Sequence, residues 1–271
     1  MELRGKVTVV TGGGSGIGEA MARRFATEGA QRVVVADLDG ARAESVAKAI
    51  GPVATAAALD VSDEAAVKAL VDETLAAEDH IDLFCSNAGF AAGGGVETPD
   101  DVFDRMWKVH VMAHVYAARA VLPSMIARRE GYLLNTSSAA GLLNQIGSAP
   151  YGVTKAAAVS LAEFLAFTHR DQGIKVSVLC PQAVRTNILA GRAPREGGSA
   201  ASTDGVLEAD DVASVVVEAL ADERFLVLPH PEVAEYTRRK GDDRDRWLAG
   251  MARFQARLYD GVPSPADALG P

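Results

Sequence analysis

The sequence is poor in cysteine, in basic residues and in long apolar runs. Of its 271 residues only Cys85 and Cys180 are cysteines, and both lie in apolar segments, which indicates small buried side chains rather than a disulfide framework. Lys and Arg number 27 against 36 Asp and Glu, and the net charge of −9 disfavours nucleic acid as a partner. No apolar run reaches the roughly 18 residues of a membrane helix, and no signal peptide is visible. We expect a cytoplasmic protein with no membrane partner and no metal.

Short β-branched runs alternate with longer helical segments along most of the chain. The predicted strands are residues 7–10, 32–36, 53–59, 81–85, 132–135, 175–179 and 225–228. Repeated strand–helix–strand units predict an α/β fold, a doubly wound parallel sheet of about seven strands with helices on both faces. We expect one domain over residues 1–271, and Ser62 is expected to cap the helix after the third strand.

Two segments do not follow this alternation. Residues 191–205 are rich in Gly, Ser and charge, and they form either a solvated loop or a lid that orders over a ligand. Residues 229–271 form a charged helical tail, packed on the domain or on a partner subunit. A stripe at helical spacing in this tail predicts a core or subunit contact; its members are Trp247, Met251, Phe254 and Leu258.

A glycine-rich turn, TGGGSGIG at residues 11–18, stands between the first strand and the first helix. Such a turn lets the backbone approach a pyrophosphate, which the helix N-terminus then binds. The spacing Gly12-x-x-x-Gly16-x-Gly18 is not a Walker loop, because Glu19 stands where that loop needs lysine. Asp37 ends the second strand 19 residues after Gly18, and it is interpreted either as a ribose-binding acid or as a helix N-terminal acid.

Further candidate functional motifs follow the later predicted strands. Tyr151 and Lys155 are four residues apart and share a helix face, one loop after the serine pair Ser137 and Ser138. Asp60-Val61, Asn87-Ala88-Gly89 and the loop PQAVRT at 181–186 also stand at predicted strand ends. With these motifs, the chain resembles the short-chain dehydrogenase/reductase family from residue 3 to about residue 228.

The resemblance implies a Rossmann-like domain and an NAD(P)-dependent oxidoreductase that acts on an alcohol or a ketone. It assigns catalysis to Ser138, Tyr151 and Lys155, with His110 as a fourth candidate. The cofactor contacts it implies are Gly12, Ser15, Gly16, Ile17, Gly18, Asp37, Leu38, Asp60, Val61, Asn87, Ala88, Gly89, Tyr151, Lys155, Pro181, Val184 and Thr186. The substrate contacts it implies are Ser138, Gln145, Tyr151 and Gln182.

The chemistry justifies these roles. Oxidation of a secondary alcohol needs a base for the hydroxyl proton, and a free tyrosine, with a pKa of about 10, is a poor base at neutral pH. The ammonium of Lys155 and a cationic nicotinamide both favour the phenolate of Tyr151. Ser138 would hydrogen-bond the substrate oxygen, because the family spacing of thirteen residues before the tyrosine selects it over Ser137.

Two positions depart from the family pattern. His110 stands where the family has an asparagine that supports a water chain to the catalytic lysine, and it either relays protons or merely packs in its helix. Gln182 replaces the glycine of the nicotinamide loop. Neither change removes a residue that contacts the reacting proton.

The cofactor is expected to be NAD rather than NADP. Asp37 would repel a 2′-phosphate, and Ser15 and Leu38 occupy places where NADP-using relatives carry a basic residue. The expected substrate walls, residues 90–95, 142–146 and 188–189, are largely apolar and no Arg or Lys cluster is placed there. We therefore expect an uncharged hydrophobic secondary alcohol or ketone, such as an aromatic, alicyclic or steroid-like compound.

Three alternative functions stay open, and an oligomeric assembly is expected. The alternatives are a 3-oxoacyl thioester reductase-like enzyme, a catalytically silent dinucleotide-binding regulator, and a sugar-nucleotide epimerase or dehydratase relative. A homodimer or homotetramer is expected, because the helix over residues 104–129 is apolar on more than one side and the helix from Tyr151 is rich in alanine.

Overall fold

A seven-stranded parallel sheet forms the centre of the protein, as predicted. The computed structural model describes residues 1–186, 202–261 and 264. The strands are β1 (Val7–Thr11), β2 (Arg32–Asp37), β3 (Ala54–Ala58), β4 (Leu83–Ser86), β5 (Gly131–Thr136), β6 (Ile174–Leu179) and β7 (Leu226–Val227). Their order in the sheet is β3-β2-β1-β4-β5-β6-β7. The strand order reverses between β1 and β4, and this switch point is where ligands bind in open parallel sheets.

Helices cover both faces of the sheet. Those described are α1 (Gly16–Thr27), α2 (Gly40–Ile50), α3 (Glu64–Glu78), α4 (Asp100–Trp107), α5 (Ala113–Arg128), α6 (Ala139–Leu143), α7 (Ala149–His169), α8 (Ala209–Ala221), α9 (Glu232–Asp242) and α10 (Arg244–Leu258). A π-helical turn, Lys108–Met112, joins α4 to α5, and a 3₁₀ turn, Arg170–Gln172, follows α7. In these parts of the chain no helix combines the length and the apolar character needed to cross a membrane.

The side chains of the central strands alternate between two hydrophobic cores. Val33 and Val35 of β2 belong to the core under α1, α2 and α8, while Val34 between them belongs to the core under α3, α5 and α7. Phe25 of α1 and Met125 of α5 are fully buried on opposite faces. Strands that are buried on both sides explain the continuous β-branched runs from which the sheet was predicted.

The sequence-based boundaries were wrong at the third helix and at the fourth. Asp63, not Ser62, caps α3, because its carboxylate accepts the backbone N–H groups of Ala65 and Ala66, at 2.8 and 3.3 Å, while the Ser62 hydroxyl donates to Asp60. The helix predicted over residues 104–129 begins at Asp100 and is interrupted by the π-helical turn.

The tail forms two helices, α9 and α10, but its apolar stripe is not part of the core. None of the residues of α10 is buried, so of the two expected contacts for this stripe the core contact was wrong, and the subunit contact stays a prediction. Most of the proposed lid, residues 191–201, and the substrate-wall residues 188–189 lie outside the described residues.

Both cysteines are buried and free. Burial raises the pKa of Cys85 far above that of an exposed thiol and the pKa of Cys180 to about 12. The two thiols are therefore protonated and unreactive, in agreement with their interpretation as small apolar side chains.

Candidate active site

A cleft of about 350 Å³ lies at the C-terminal ends of the central strands. It brings together every residue named from the sequence for cofactor, substrate or catalysis except Gly18 and His110. These residues come from the ends of six strands, β1 to β6, and from α1 and α7, so the parallel topology places them along one edge of the sheet. Residues that sequence reasoning did not assign to the site also line the cleft, among them Leu59, Arg105 and Thr136.

The glycine turn is closed so tightly that side chains would not fit. Gly12 and Gly16 have positive φ angles of 64° and 54°, and a Cβ at either would lie 2.9 Å from Ala88 or Thr186. A Cβ at Gly18 would lie 2.1 Å from the carbonyl oxygen of Gly12. Gly18 therefore permits close packing of α1 on the turn, whereas Gly12 and Gly16 line the cleft itself.

Asp37 closes the cleft beyond the glycine turn. One of its carboxylate oxygens accepts the backbone N–H of Gly14 at 2.9 Å, and the other accepts that of Asp39 at 3.0 Å. The N-cap of α2 is Asp39, whose carboxylate accepts the N–H of Arg42 and also forms an ion pair with the Arg42 side chain at 3.1 Å. The structure thus gives the helix-capping role to Asp39 and leaves Asp37 facing the cleft.

The side chain of Asn87, which follows β4, forms hydrogen bonds to β1 and to β5 at the bottom of the cleft. Its side-chain NH₂ donates to the carbonyl oxygen of Thr11, and its side-chain oxygen accepts the hydroxyl of Thr136, both at 3.1 Å. Asp60 is held in its own turn by Ser62, whose N–H and hydroxyl both donate to it. These bonds occupy the side chains, so the wall they form is fixed before any ligand binds.

The two neighbouring serines have different surroundings. The Ser137 hydroxyl donates to the carbonyl oxygen of Lys155 at 2.8 Å, which ties β5 to α7. The Ser138 hydroxyl caps α6 by accepting the N–H of Ala140, and it reaches the carbonyl oxygen of Pro181 at 3.3 Å. Ser137 thus carries the structural bond, which supports the choice of Ser138 as the group that faces a substrate.

Tyr151 and Lys155 lie on the first two turns of α7. The ammonium of Lys155 is 5.7 Å from the centre of the Tyr151 ring and donates to the carbonyl oxygen of Thr136 at 3.0 Å. Only 3% of Lys155 is exposed, and burial lowers its pKa to about 8. A buried cation beside a phenol ring is the arrangement that favours a phenolate.

His110 lies behind the tyrosine, outside the lining of the cleft. Its Nε2 accepts the backbone N–H of Phe90 at 3.2 Å, and its Nδ1 lies 3.0 Å from the Thr154 hydroxyl. Its ring contacts that of Tyr151 edge to face, with centres 5.6 Å apart. Burial, followed by the charge of Lys155, lowers the pKa of His110 to about 2. With both nitrogens engaged, the geometry supports the packing interpretation over the proton relay.

Gln182, which stands where the family has a glycine, forms hydrogen bonds to two residues far along the chain. Its backbone N–H donates to Nδ1 of His230 at 3.3 Å, and its side-chain NH₂ donates to Asp204 at 3.0 Å. Tyr236 of α9 donates to the other oxygen of Asp204. Gln182 therefore connects the loop after β6 to the beginning of the tail.

A second cavity, the tail cavity, adjoins the cleft. It measures about 890 Å³ and shares Ser138, Gln145 and Gln182 with the cleft. Leu143 and Ile146 line one side, and α9 and α10 line the other. Five arginines line it as well: Arg238, Arg239, Arg246, Arg253 and Arg257. The expectation that no basic cluster faces the substrate region was therefore wrong, because no sequence signal shows where the tail folds back.

A sequence model of the short chain dehydrogenase family matches residues 6–197. The chain belongs to this family. Among its short-chain dehydrogenase relatives, 1-deoxy-11-beta-hydroxypentalenate dehydrogenase of Streptomyces exfoliatus is 36% identical over 251 residues, 90% of each chain. Meso-2,3-butanediol dehydrogenase of Serratia marcescens is 36% identical over 193 residues, 70% of this chain and 76% of the other.

Solved structures give the same family. A short-chain dehydrogenase/reductase from Burkholderia phymatum, crystallised in complex with NAD, superposes with a TM-score of 0.82 at 32% identity, over 90% of this chain and 96% of the other. The fold is therefore the Rossmann-like fold of short-chain dehydrogenases, and the chain is an oxidoreductase that interconverts alcohols and ketones.

Proposed function

We propose that this short-chain dehydrogenase uses NAD to interconvert a hydrophobic secondary alcohol and its ketone. The observation that carries the proposal is one continuous cleft with Asp37 at one end and Ser138, Tyr151 and Lys155 at the other. A dinucleotide whose ribose binds at Asp37 and whose pyrophosphate binds at the glycine turn would have its reactive ring beside the tyrosine.

The residues of the cleft fit NAD. Gly12 and Gly16 leave no room for side chains where a pyrophosphate would approach the backbone, and α1 begins at this turn. Asp37 presents a carboxylate to the ribose hydroxyls, and Arg42, on the helix that follows, is already paired with Asp39. NAD, when bound, supplies the hydride acceptor of alcohol oxidation. The Burkholderia phymatum structure, which contains NAD, supports this choice.

The three catalytic candidates divide the proton chemistry between them. Tyr151 takes the hydroxyl proton of the alcohol as general base, or returns it to a ketone as general acid. Lys155, held by the carbonyl of Thr136, favours the phenolate. Ser138 orients the substrate oxygen by a hydrogen bond, so that the reacting carbon faces the cofactor.

The substrate is proposed to be hydrophobic, because apolar side chains are prominent in the lining of the cleft, among them Phe90, Ala91, Val109, Ala183 and Val184. The arginines of the tail cavity remove the reason for expecting an uncharged compound. The name of the Streptomyces exfoliatus relative describes a hydroxylated multi-carbon substrate, and this supports a multi-carbon alcohol as the substrate here.

A panel of secondary alcohols and ketones tests the proposal, with NAD, NADP and their reduced forms followed by absorbance. We expect turnover with NAD for at least one alicyclic or aromatic alcohol. A 3-oxoacyl thioester belongs in the panel, and better turnover of it than of any simple ketone would assign the chain to that alternative. Cofactor binding without turnover of any compound would favour a silent regulator.

We also propose a homo-oligomer in the cytoplasm. Val153, Phe164 and Phe167 are exposed on one face of α7, where large apolar side chains favour a partner surface. Light scattering tests the assembly: Phe164→Ser with Phe167→Ser is expected to lower the mass, and an already monomeric wild type would contradict it.

A further inference from the structure

We propose that the tail cavity binds a carboxylate of the substrate, so that the enzyme prefers keto acids and hydroxy acids to their uncharged analogues. The inference rests on the proposed function, because it assumes that the reacting carbon lies at Ser138 and Tyr151. It begins from the continuity of the two cavities. Ser138, Gln145 and Gln182 line both, so the two cavities meet at the place where the proposed function puts the substrate carbonyl.

The apolar wall of the tail cavity comes from α10. Trp247, Met251 and Phe254 are spaced four and three residues apart and therefore share one face of the helix. All three line the tail cavity and are half-buried, although α10 contributes no residue to the protein core. Leu143 and Ile146 face them from the other side. A ring system fits between these walls, since a cavity of about 890 Å³ has the size of sites for drug-sized ligands.

The charged residues that line the tail cavity are mostly basic, whereas the protein as a whole is acidic. The net charge of the chain is −9, yet five arginines line the cavity against the acids Glu235, Asp242 and Asp243. These acids are already engaged. Glu235 pairs with Arg238 and Arg239, and Asp242 pairs with Arg238. Asp243 caps α10 by accepting the N–H of Arg246.

Three arginines remain without a carboxylate among the residues that the structure describes. Arg246, Arg253 and Arg257 make no ion pair there, and Arg257 lies over the ring of Phe254 at 5.8 Å. Their spacing of seven and four residues sets them in one row beside the apolar face of α10. The guanidinium group binds a carboxylate through two parallel hydrogen bonds, which makes a row of unpaired arginines next to an apolar wall a site for an amphipathic acid.

Binding tests the inference without requiring turnover. The chain has two tryptophans, and Trp107→Phe leaves Trp247 in the tail cavity as the single fluorescent reporter. The probes are three pairs of a keto acid and its methyl ester: 3-oxo-5β-cholan-24-oate, 4-oxocyclohexanecarboxylate and 4-acetylbenzoate. In the presence of NAD, we expect at least one acid to quench Trp247 with an affinity about 10-fold or more above that of its ester. The preference should weaken as salt is added.

Matched variants locate the site. Arg246→Gln, Arg253→Gln and Arg257→Gln combined should reduce the preference for the acid to less than about 2-fold while the ester binds as before. Arg244→Gln is the control, because Arg244 lies on the same helix but does not line the cavity. Equal binding of acid and ester for every pair, or a preference that survives the triple substitution, would overturn the inference. A third outcome would also overturn it. If the wild type shows no preference for the acid and the triple substitution dissociates a dimer, the arginine row of α10 contacts a second copy of the chain.

Kinetics separate this inference from the proposed function. The ratio of kcat/KM for acid over ester, measured with NADH, should follow the binding ratio in wild type and in the triple variant. Turnover of ketones without any preference for the acid would refute the carboxylate site and leave the proposed function standing. Preferential binding of an acid without turnover of any ketone would refute the proposed function alone.

Discussion

The hydroxyl of Thr154 lies 3.0 Å from Nδ1 of His110 and fixes the tautomer of that ring. A backbone amide can only donate, so Nε2 accepts from Phe90 and Nδ1 carries the proton toward Thr154. Thr154 in turn donates to the carbonyl oxygen of Pro150 at 2.8 Å. The ring therefore links the loop after β4 to α7 on both sides of Tyr151, and neither nitrogen is left for a passing proton.

This arrangement predicts how His110 variants behave. His110→Ala should lower the free energy of unfolding by roughly 2–4 kcal/mol, because it leaves a cavity and an unsatisfied amide. His110→Asn should also be destabilised, and kcat measured well below the unfolding temperature should stay within a few fold of wild type for both. Chemical denaturation and kcat are compared for the two variants. A large loss of kcat in His110→Ala at unchanged stability, restored by asparagine, would establish the relay instead.

Removal of the phenol hydroxyl tests the proposed base. Tyr151→Phe keeps the ring contact with His110 but abolishes proton transfer, so kcat should fall by at least ~10² while cofactor affinity is retained. Tyr116→Phe on α5 is the matched control, because Tyr116 does not line the cleft. Steady-state kinetics and NADH fluorescence titration give the two readouts, and near-normal kcat in Tyr151→Phe would refute the role.

Stability should fall in acid because two buried histidines remain neutral in the folded protein. Burial lowers the pKa of His110 to about 2 and that of His114 to about 3. The unfolded chain takes up protons at these positions below pH 6.5, whereas the folded protein does not, so stability decreases as the pH falls. Each histidine contributes a slope of about 1.4 kcal/mol per pH unit, or roughly 2 kcal/mol between pH 6.5 and 5.

Urea unfolding at several pH values between 7.5 and 5 measures this slope. His114→Asn should reduce it even if the variant is less stable at every pH, because the slope reports protons rather than packing. His169→Asn, at the end of α7, is the control. An identical slope in wild type and His114→Asn would show that His114 does not remain neutral on folding.

Cofactor preference should depend on Asp37. A 2′-phosphate about 4 Å from its carboxylate costs roughly 4 kcal/mol at an effective dielectric of about 20, before screening. A preference for NAD of ~10² in kcat/KM requires only ~2.7 kcal/mol. Asp37→Ser combined with Leu38→Arg should relax or reverse the preference, whereas Arg42→Ala should leave it unchanged, since Asp39 already holds Arg42. Wild-type enzyme that uses NADP as well as NAD would exclude this role for Asp37.

The sequence predicted what depends on local spacing and on strand ends. Asp37 ends a strand, and Asn87 and Ser138 follow one; because parallel strands bring their ends to one edge, a linear pattern sufficed to place all three. Tyr151 and Lys155 share a helix face by the same reasoning. The single-residue shift of the cap from Ser62 to Asp63 shows the limit of this approach, because both side chains are able to cap and the final geometry depends on the bond between Ser62 and Asp60.

Long-range contacts were not accessible in the same way. The position of α9 beside α6 depends on contacts such as that of Lys240 with the carbonyl oxygen of Leu142, 98 residues earlier in the chain. The hydrogen bonds of Gln182 to Asp204 and His230 are equally nonlocal. Nothing in the spacing of Arg253 or Arg257 indicates what they face, so the basic cavity became visible only in three dimensions.

The π-helical turn over Lys108–Met112 takes up one residue between α4 and α5. A π-turn holds one residue more than the α-helical turn it replaces, so the helical segments on either side keep their phase, whereas the same residue added to a regular helix would rotate everything beyond it by about 100°. Arg105 therefore keeps its place in the cleft and over the ring of Phe90 while α5 stays packed on the sheet. At this turn the segment is able to differ in length by one residue without a rotation of the cleft wall.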